Sequence, residues 1–229
     1  DNYNGTATIT FDNSLFTNNQ AIIEIDSTVQ IYEIPEYEYN NELTNALTIE
    51  AGNNRHVNIQ YSETANPDDA MIMTDYNYNS NWDITFNSIN FYNENFQYGS
   101  LTLYVYGETS TVTLNDCTLE NPNGYNLYVT GNTSTVTLND CTVENTNGLN
   151  LAIQGETSTT VTLNDCTLEN TNGYNLYVYG VTSTITLNDS TLKNTDGYIN
   201  LYMTGGIATA TLNNCTLELH HDEDYYYNI

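Results

Sequence analysis

The sequence predicts an all-β chain, a single right-handed parallel β-helix (β-solenoid) of about nine rungs, with 24–25 residues in each regular rung. Three observations predict it. The unit Leu114-Asn115-Asp116-Cys117-Thr118-Leu119-Glu120-Asn121 returns at 138–145, 163–170, 187–194 and, degraded, 212–219, in steps of 24, 25, 24 and 25 residues. A period of that size marks a solenoid, and it is too short for a propeller blade of about 40 residues. Apolar letters inside the unit alternate with Thr, the period of a strand and not of a helix. The composition also fits, since Thr and 21 Tyr favour strands and the abundant Asn favours turns.

From the N-terminus, 8–18 aligns with 111–121, and 84–93 aligns with 112–121. Residues 27–31 match 110–114, and 57–59 fit more loosely. The first inward residue of each rung is then Ile9, Val29, Val57, Ile84, Val112, Val136, Val161, Ile185 and Ala210. Irregular rungs fill 1–107, with the largest insertion at 32–42, and regular repeats fill 108–219 of a β-helix spanning 1–219. An acidic, Tyr-rich tail, 220–229, follows.

A regular rung resolves into three strands. Val112 and Leu114 face one side and Thr111 and Thr113 the other. The next inward letters are Cys117 and Leu119, so the spacing changes from two to three and a corner falls at Asn115-Asp116. Asn and Asp tolerate the left-handed backbone that such a corner needs. Residues 121–124 make a second turn, 126–130 a third strand with Leu127 and Val129 inward, and 131–134 close the coil. With strands about 4.8 Å apart, nine rungs make a rod roughly 40 Å long.

The charge bounds the partners. The formal net charge is −27, from 29 acidic side chains against Arg55 and Lys193. Two cations cannot neutralise a run of phosphates, which excludes nucleic acid. Anionic membranes and acidic polymers such as pectate are disfavoured for the same reason. Cations, neutral glycans and screened copies of the chain remain. A hydrophobic content of 39% supports a core, and no transmembrane segment of roughly 18 apolar residues is present. No charged-then-apolar leader opens the chain, so it reads as a processed product or an excised segment.

The Thr-Val-Thr-Leu-Asn-Asp-Cys-Thr-Leu-Glu-Asn unit resembles the repeats of the pectate-lyase-like β-helix superfamily. It is nearest to the adhesin-like and polymorphic surface proteins of bacteria and methanogenic archaea. The resemblance covers essentially all of the chain and implies the fold more than the function, because the superfamily holds lyases, hydrolases, adhesins and structural proteins. It implies that lyases of this fold need an Arg or Lys base and Ca²⁺-binding acids. Here only Arg55 and Lys193 exist, and Lys193 occupies a repeat position. The hydrolase-like Asp clusters and Gly-His-Gly are missing, while Asp68-Asp69 reads as a turn and His56 as structural. Catalytic sites break repeats, and these columns are set by the repeat, so no enzyme is expected.

In a stacked chain a repeated letter becomes a column. Cys117, Cys141, Cys166 and Cys215, with Ser190 in the gap, form an inward thiol ladder that packs as small hydrophobes. Neighbouring thiols lie within Cα range of a disulfide, but parallel Cβ vectors oppose one. Asp116, Asp140, Asp165 and Asp189 form a corner column, flanked by Asn13, Ser88 and Asn214. Like charges about 4.8 Å apart repel by roughly 1 kcal/mol in water. Solvation, a raised pKa or a bound divalent cation such as Ca²⁺ each relieves this. Glu120, Glu144, Glu169, Lys193 and Glu218 form another column, with Lys193 pairing to its Glu neighbours. Paired Thr columns from Thr111/Thr113 to Thr209/Thr211 match exposed strands, with an ice-binding array as the sharper reading.

Tyr104, Tyr128, Tyr177 and Tyr202 form an outward aromatic column interrupted at Ala152, with Tyr106 and Tyr179 further along the strand. Such a face suits sugar rings or another chain. Asn4, Asn132, Asn188 and Asn214 stand in glycosylation sequons, and the tail 220–224 offers an adventitious metal site. The expected function is a non-enzymatic extracellular structural protein, a self-assembling part of a cell-surface sheath, surface layer or fibre. The alternatives are an adhesin or carbohydrate-binding module and, less favoured, a lyase-like enzyme or an ice binder.

Overall fold

The computed structural model describes residues 6–11, 21–25, 29–31, 44–51, 57–61, 70–74, 80–93, 100–197 and 199–219. Asn4, Asn13, the insertion 32–42, Arg55, His56, Asp68, Asp69 and the tail 220–229 lie outside them. The described residues form strands and turns without a helix. β1 (Thr6–Phe11), β2 (Ala21–Ile25), β3 (Val29–Ile31), β4 (Thr44–Ala51), β5 (Val57–Tyr61), β6 (Ala70–Thr74), β7 (Asn81–Asn87) and β8 (Ile89–Asn93) make the irregular part. Long and short strands then alternate: β9 (Leu101–Asn115), β10 (Thr118–Asn121), β11 (Tyr125–Asn139), β12 (Thr142–Asn145), β13 (Leu149–Asn164), β14 (Thr167–Asn170), β15 (Tyr174–Asn188), β16 (Thr191–Asn194), β17 (Ile199–Asn213) and β18 (Thr216–Leu219).

Two parallel sheets run the length of the stack. One follows β1-β4-β7-β9-β11-β13-β15-β17, joined at its side by β3 and β6, and the other follows β2-β5-β8-β10-β12-β14-β16-β18. Five regular turns, β9/β10 to β17/β18, continue a stack of shorter strands. Among the described residues the ladder has eight levels, where about nine rungs were expected. The expected third strand and the next rung's first strand are one unit. Residues 131–134 do not interrupt β11; they bend it, and the buried positions Gly131 and Ser134 fall three apart there.

Register corrects part of the N-terminal alignment. Ile84 does stack on Val112 and Phe86 on Leu114. Leu47 stacks on Ile84, and Ala7 on Leu47. The first-position column therefore holds Ala7 and Leu47, and Ile9 belongs two residues on, with Ile49 and Phe86. Val29 pairs with Ile72 and hence with the Leu103 column, in the third strand. Val57 pairs with Ile89 in the other sheet, one position before the Thr118 column and so level with the thiols.

The core is a set of vertical columns. Val112, Val136, Val161 and Ile185 are fully buried, as are Leu114, Leu138, Leu163 and Leu187, and Leu127, Leu151, Leu176 and Leu201. Each such side chain contributes about 1.5–3 kcal/mol by leaving water. Toward the N-terminus the filling grows larger, with Trp82 buried and Phe86 meeting Phe91 edge-on at 5.1 Å. The corner between sheets is made by left-handed residues: Ser88, Asp116, Asp140, Asp165, Asp189 and Asn214 have φ of 55°, 53°, 54°, 53°, 49° and 55°. This is the expected use of Asp, Asn and Ser at a tight corner.

Candidate functional site

The corner places Asp116, Asp140, Asp165 and Asp189 outward and exposed, one per turn. Ser88 Oγ donates to Asp116 Oδ2 at 3.0 Å, and Asn214 Nδ2 donates to Asp189. Neutral donors thus close both ends of the carboxylate column. Among the described residues, no three of His, Cys, Asp and Glu gather closely enough to hold a metal ion. The expected cation column is a line of single carboxylates and not a cage.

Beside it runs an Asn ladder that the sequence reading passed over. Asn115 Nδ2 donates to Asn87 Oδ1 at 2.8 Å, and Asn139, Asn164, Asn188 and Asn213 each donate to the Asn before them at 2.7 Å. A second ladder is fully buried. Asn126, Asn150 and Asn175 donate to Asn150, Asn175 and Asn200 at 2.9, 2.7 and 2.7 Å. The same amides bind the carbonyls of Glu144, Glu169 and Lys193 and so tie the third strand to the short strand of the next turn. The repeated Asn letters signalled the columns, though not which of them is buried. In the sequon at Asn188, the amide nitrogen is already committed to this hydrogen bonding.

The thiol column is where it was expected. Cys117, Cys141 and Cys166 are buried free thiols, and Cys215 is half-buried. Each Sγ donates to the carbonyl two residues before it, at 3.1–3.2 Å, and Ser190 Oγ makes the same bond to Asn188 at 2.8 Å. The hydrogen bond between Cys117 and Cys141 lowers the first thiol and pushes the second up to about 12. Cys166 is raised through its bond with Cys141 and by burial. Burial opposes ionisation at Cys117, Cys141 and Cys166.

The aromatic column is stacked on itself. Tyr104 and Tyr128 lie 5.2 Å apart, and Tyr177 and Tyr202 lie 5.4 Å apart, with near-parallel rings. Tyr125 stacks on Tyr128, and Tyr174 meets Tyr202 edge-on. Tyr104 differs from the expected exposed residue: Met73 of β6 pairs with it in register, and Ala70 and Met73 cluster with it, leaving it buried. Ala152, at the interruption, is buried too, and Tyr128 Oη donates to Gln154 Oε1 at 3.1 Å across that gap. Tyr106 and Tyr179 share a register column with Thr130 and Gln154. The exposed large hydrophobics among the described residues are Tyr179 (43%), Val181, Tyr202 (38%) and Ile207, all on β15 and β17.

On the other sheet, Glu120, Glu144, Glu169, Lys193 and Glu218 stack in register. Lys193 Nζ lies 3.6 Å from Glu169 Oε2. Gln60 and Tyr92 continue the column toward the N-terminus. A groove of about 600 Å³ follows it, lined by Gln60, Tyr92, Glu120, Glu144, Glu169 and the turn residue Thr171, among others. Burial, then the neighbouring Glu144 carboxylate, holds Glu120 above the usual carboxylate range. Tyr92 is raised by burial and by the same two glutamates. The Thr columns align from Thr111 to Thr209 and from Thr113 to Thr211.

Among the described residues no helix is long and apolar enough to cross a membrane. The family described as right-handed β-helix region matches residues 39–217, well over half of the chain. No curated protein and no solved structure matches it.

Proposed function

This chain belongs to the right-handed β-helix family, and we propose that it is a non-enzymatic structural element of an extracellular surface. In this reading it is a self-associating subunit or segment of a sheath, surface layer or fibre. One observation carries the reading. The outward positions of the regular turns are repeated columns, the aromatic column ends in exposed Tyr202, and Tyr179, Val181 and Ile207 are exposed on the same two strands. Large apolar side chains left exposed on a chain of charge −27 favour contact with another surface. Calcium enters as a counter-ion that screens the Asp column between copies.

Negative-stain microscopy and sedimentation in 0.5 M NaCl, with and without calcium, test this. Filaments, sheets or reversible oligomers are expected, weakened severalfold in Tyr179→Ala/Tyr202→Ala. A monomer under all these conditions would count against it. The groove favours a second reading, a glycan-binding module, because amides, carboxylates and Tyr92 line it together. Retention of a neutral glycan by the wild type and its loss in Tyr92→Ala would favour that reading over self-assembly.

A further inference from the structure

The thiol column brings soft ligands together in the dry interior of the stack. Cys117, Cys141 and Cys166 are free and buried, and they follow one another turn by turn in parallel register. Each Sγ donates to the carbonyl two residues before it at 3.1–3.2 Å, so the three side chains point the same way. The sulfurs are then about 4.8 Å apart, the spacing of the strands. Cys141 lies within hydrogen-bonding reach of both Cys117 and Cys166.

This geometry opposes a disulfide and suits a bridging ion. A disulfide of about 2.05 Å would close the gap by more than half and needs a dihedral near 90°, which parallel Cβ vectors do not give. A metal ion between the sulfurs asks for neither. Two metal–thiolate bonds of about 2.3 Å laid end to end span about 4.6 Å. A straight column cannot supply the four tetrahedral ligands of zinc, and among the described residues no three metal-ligating side chains gather. A linear ion needs only two. Thiolates select soft ions such as copper(I), whose closed shell accepts two ligands in a line. Leu114, Leu119, Leu138 and Val143 belong to the same buried core, which keeps out water that would raise the coordination number. Outside, Asp116, Asp140 and Asp165 stand exposed one residue before the thiols, and their field concentrates cations at the corner.

We propose that Cys117, Cys141 and Cys166 form a linear two-coordinate site for a soft monovalent cation of the copper(I) class, seated between Cys141 and either neighbour. The entering ion displaces one S–H proton to solvent. One thiolate and one thiol then hold it, so the buried site stays neutral and no oxidation state changes. Ser190 offers a hard oxygen and ends the column, and Cys215 lies two turns from Cys166, about 9.6 Å and too far for a bridge. The site is independent of the self-association reading.

The test uses silver(I), a redox-inert member of the class, titrated into the reduced full chain in chloride-free buffer. A Cys215→Ser background removes the thiol outside the pairs, and excess methionine serves as a soft competitor. Native mass spectrometry and the ultraviolet thiolate-to-metal band report binding. Ser190 already fills this column, buried and bonded to the equivalent carbonyl, so serine variants keep the fold, which circular dichroism checks. Cys141→Ser breaks both pairs and is expected to weaken silver binding by at least about a hundredfold, the upper range for residues that only orient a ligand. Cys117→Ser and Cys166→Ser each leave one pair and are expected to stay within about threefold of the parent. Silver binding that survives Cys141→Ser, or that either of the other variants loses as fully, overturns the paired site. A parent chain that cannot hold silver against methionine, or that binds zinc as tightly, overturns it too.

Discussion

Asn150 shows how much of this protein is decided by single polar side chains. Its amide accepts from Asn126 and donates both to Asn175 and to the Glu169 carbonyl, in a fully buried position. Removing it orphans acceptors on two neighbouring elements, each costing about 1–3 kcal/mol. Asn150→Ala is expected to lower unfolding stability in urea by about 2–4 kcal/mol. Asn147→Ala breaks an exposed ladder between Asn123 and Asn172 and is expected to cost under about 0.5 kcal/mol; equal costs would refute the ladder's role. The left-handed Asp corner was readable because Asp and Asn are among the few residues that tolerate it. The buried Asn was not. It stands beside inward Leu127 or Leu151, so alternation assigns it to the outer face, whereas the two successive residues are both buried. Tyr104 was misjudged for a similar reason, because its cover comes from β6, a strand remote in sequence.

Elements are held in place by how closely successive turns approach. A Cβ added at Gly148 would lie 1.8 Å from the Gly124 carbonyl oxygen, an overlap that neither backbone can relieve without breaking the ladder. Gly148→Ala is expected to destabilise the chain by at least about 3 kcal/mol, beyond ordinary overpacking. Circular dichroism melts would show it, and a melt within a degree or two of wild type would refute the close approach. The regular turns were legible because identical letters pin their register. The irregular ones were not, since alternation reports only which face a residue takes. Moving Ile9 by two positions leaves every face unchanged, whereas a slip of one would have inverted them. Val29 and Val57 were assigned to the wrong strand because every strand here alternates alike.

At the scale of the molecule, stacking brings like groups together, and protonation relieves the cost. A net charge of −27 repels itself in the compact state. Glu120 is raised by burial and by Glu144. A raised carboxyl contributes stability below its ordinary value near 4.5 and loses it as the pH climbs through the folded value. Cys141, pushed up to about 12, and the raised Tyr128 and Tyr177 act in the same direction at the alkaline end. The stabilising effect of Cys141 is complete below the unfolded thiol value of about 9 and is lost on the way to about 12. Both ends of the titration therefore slope alike, unlike the usual optimum between about pH 5 and 8. Urea midpoints at constant ionic strength are expected to fall from pH 5 to pH 8 and again above pH 9. Added NaCl should flatten the part of the first fall that comes from repulsion between carboxylates, but not the second, which is ionisation of buried groups. A stability maximum near pH 8, or a salt effect equal in the two ranges, would mean that these columns do not couple charge to stacking.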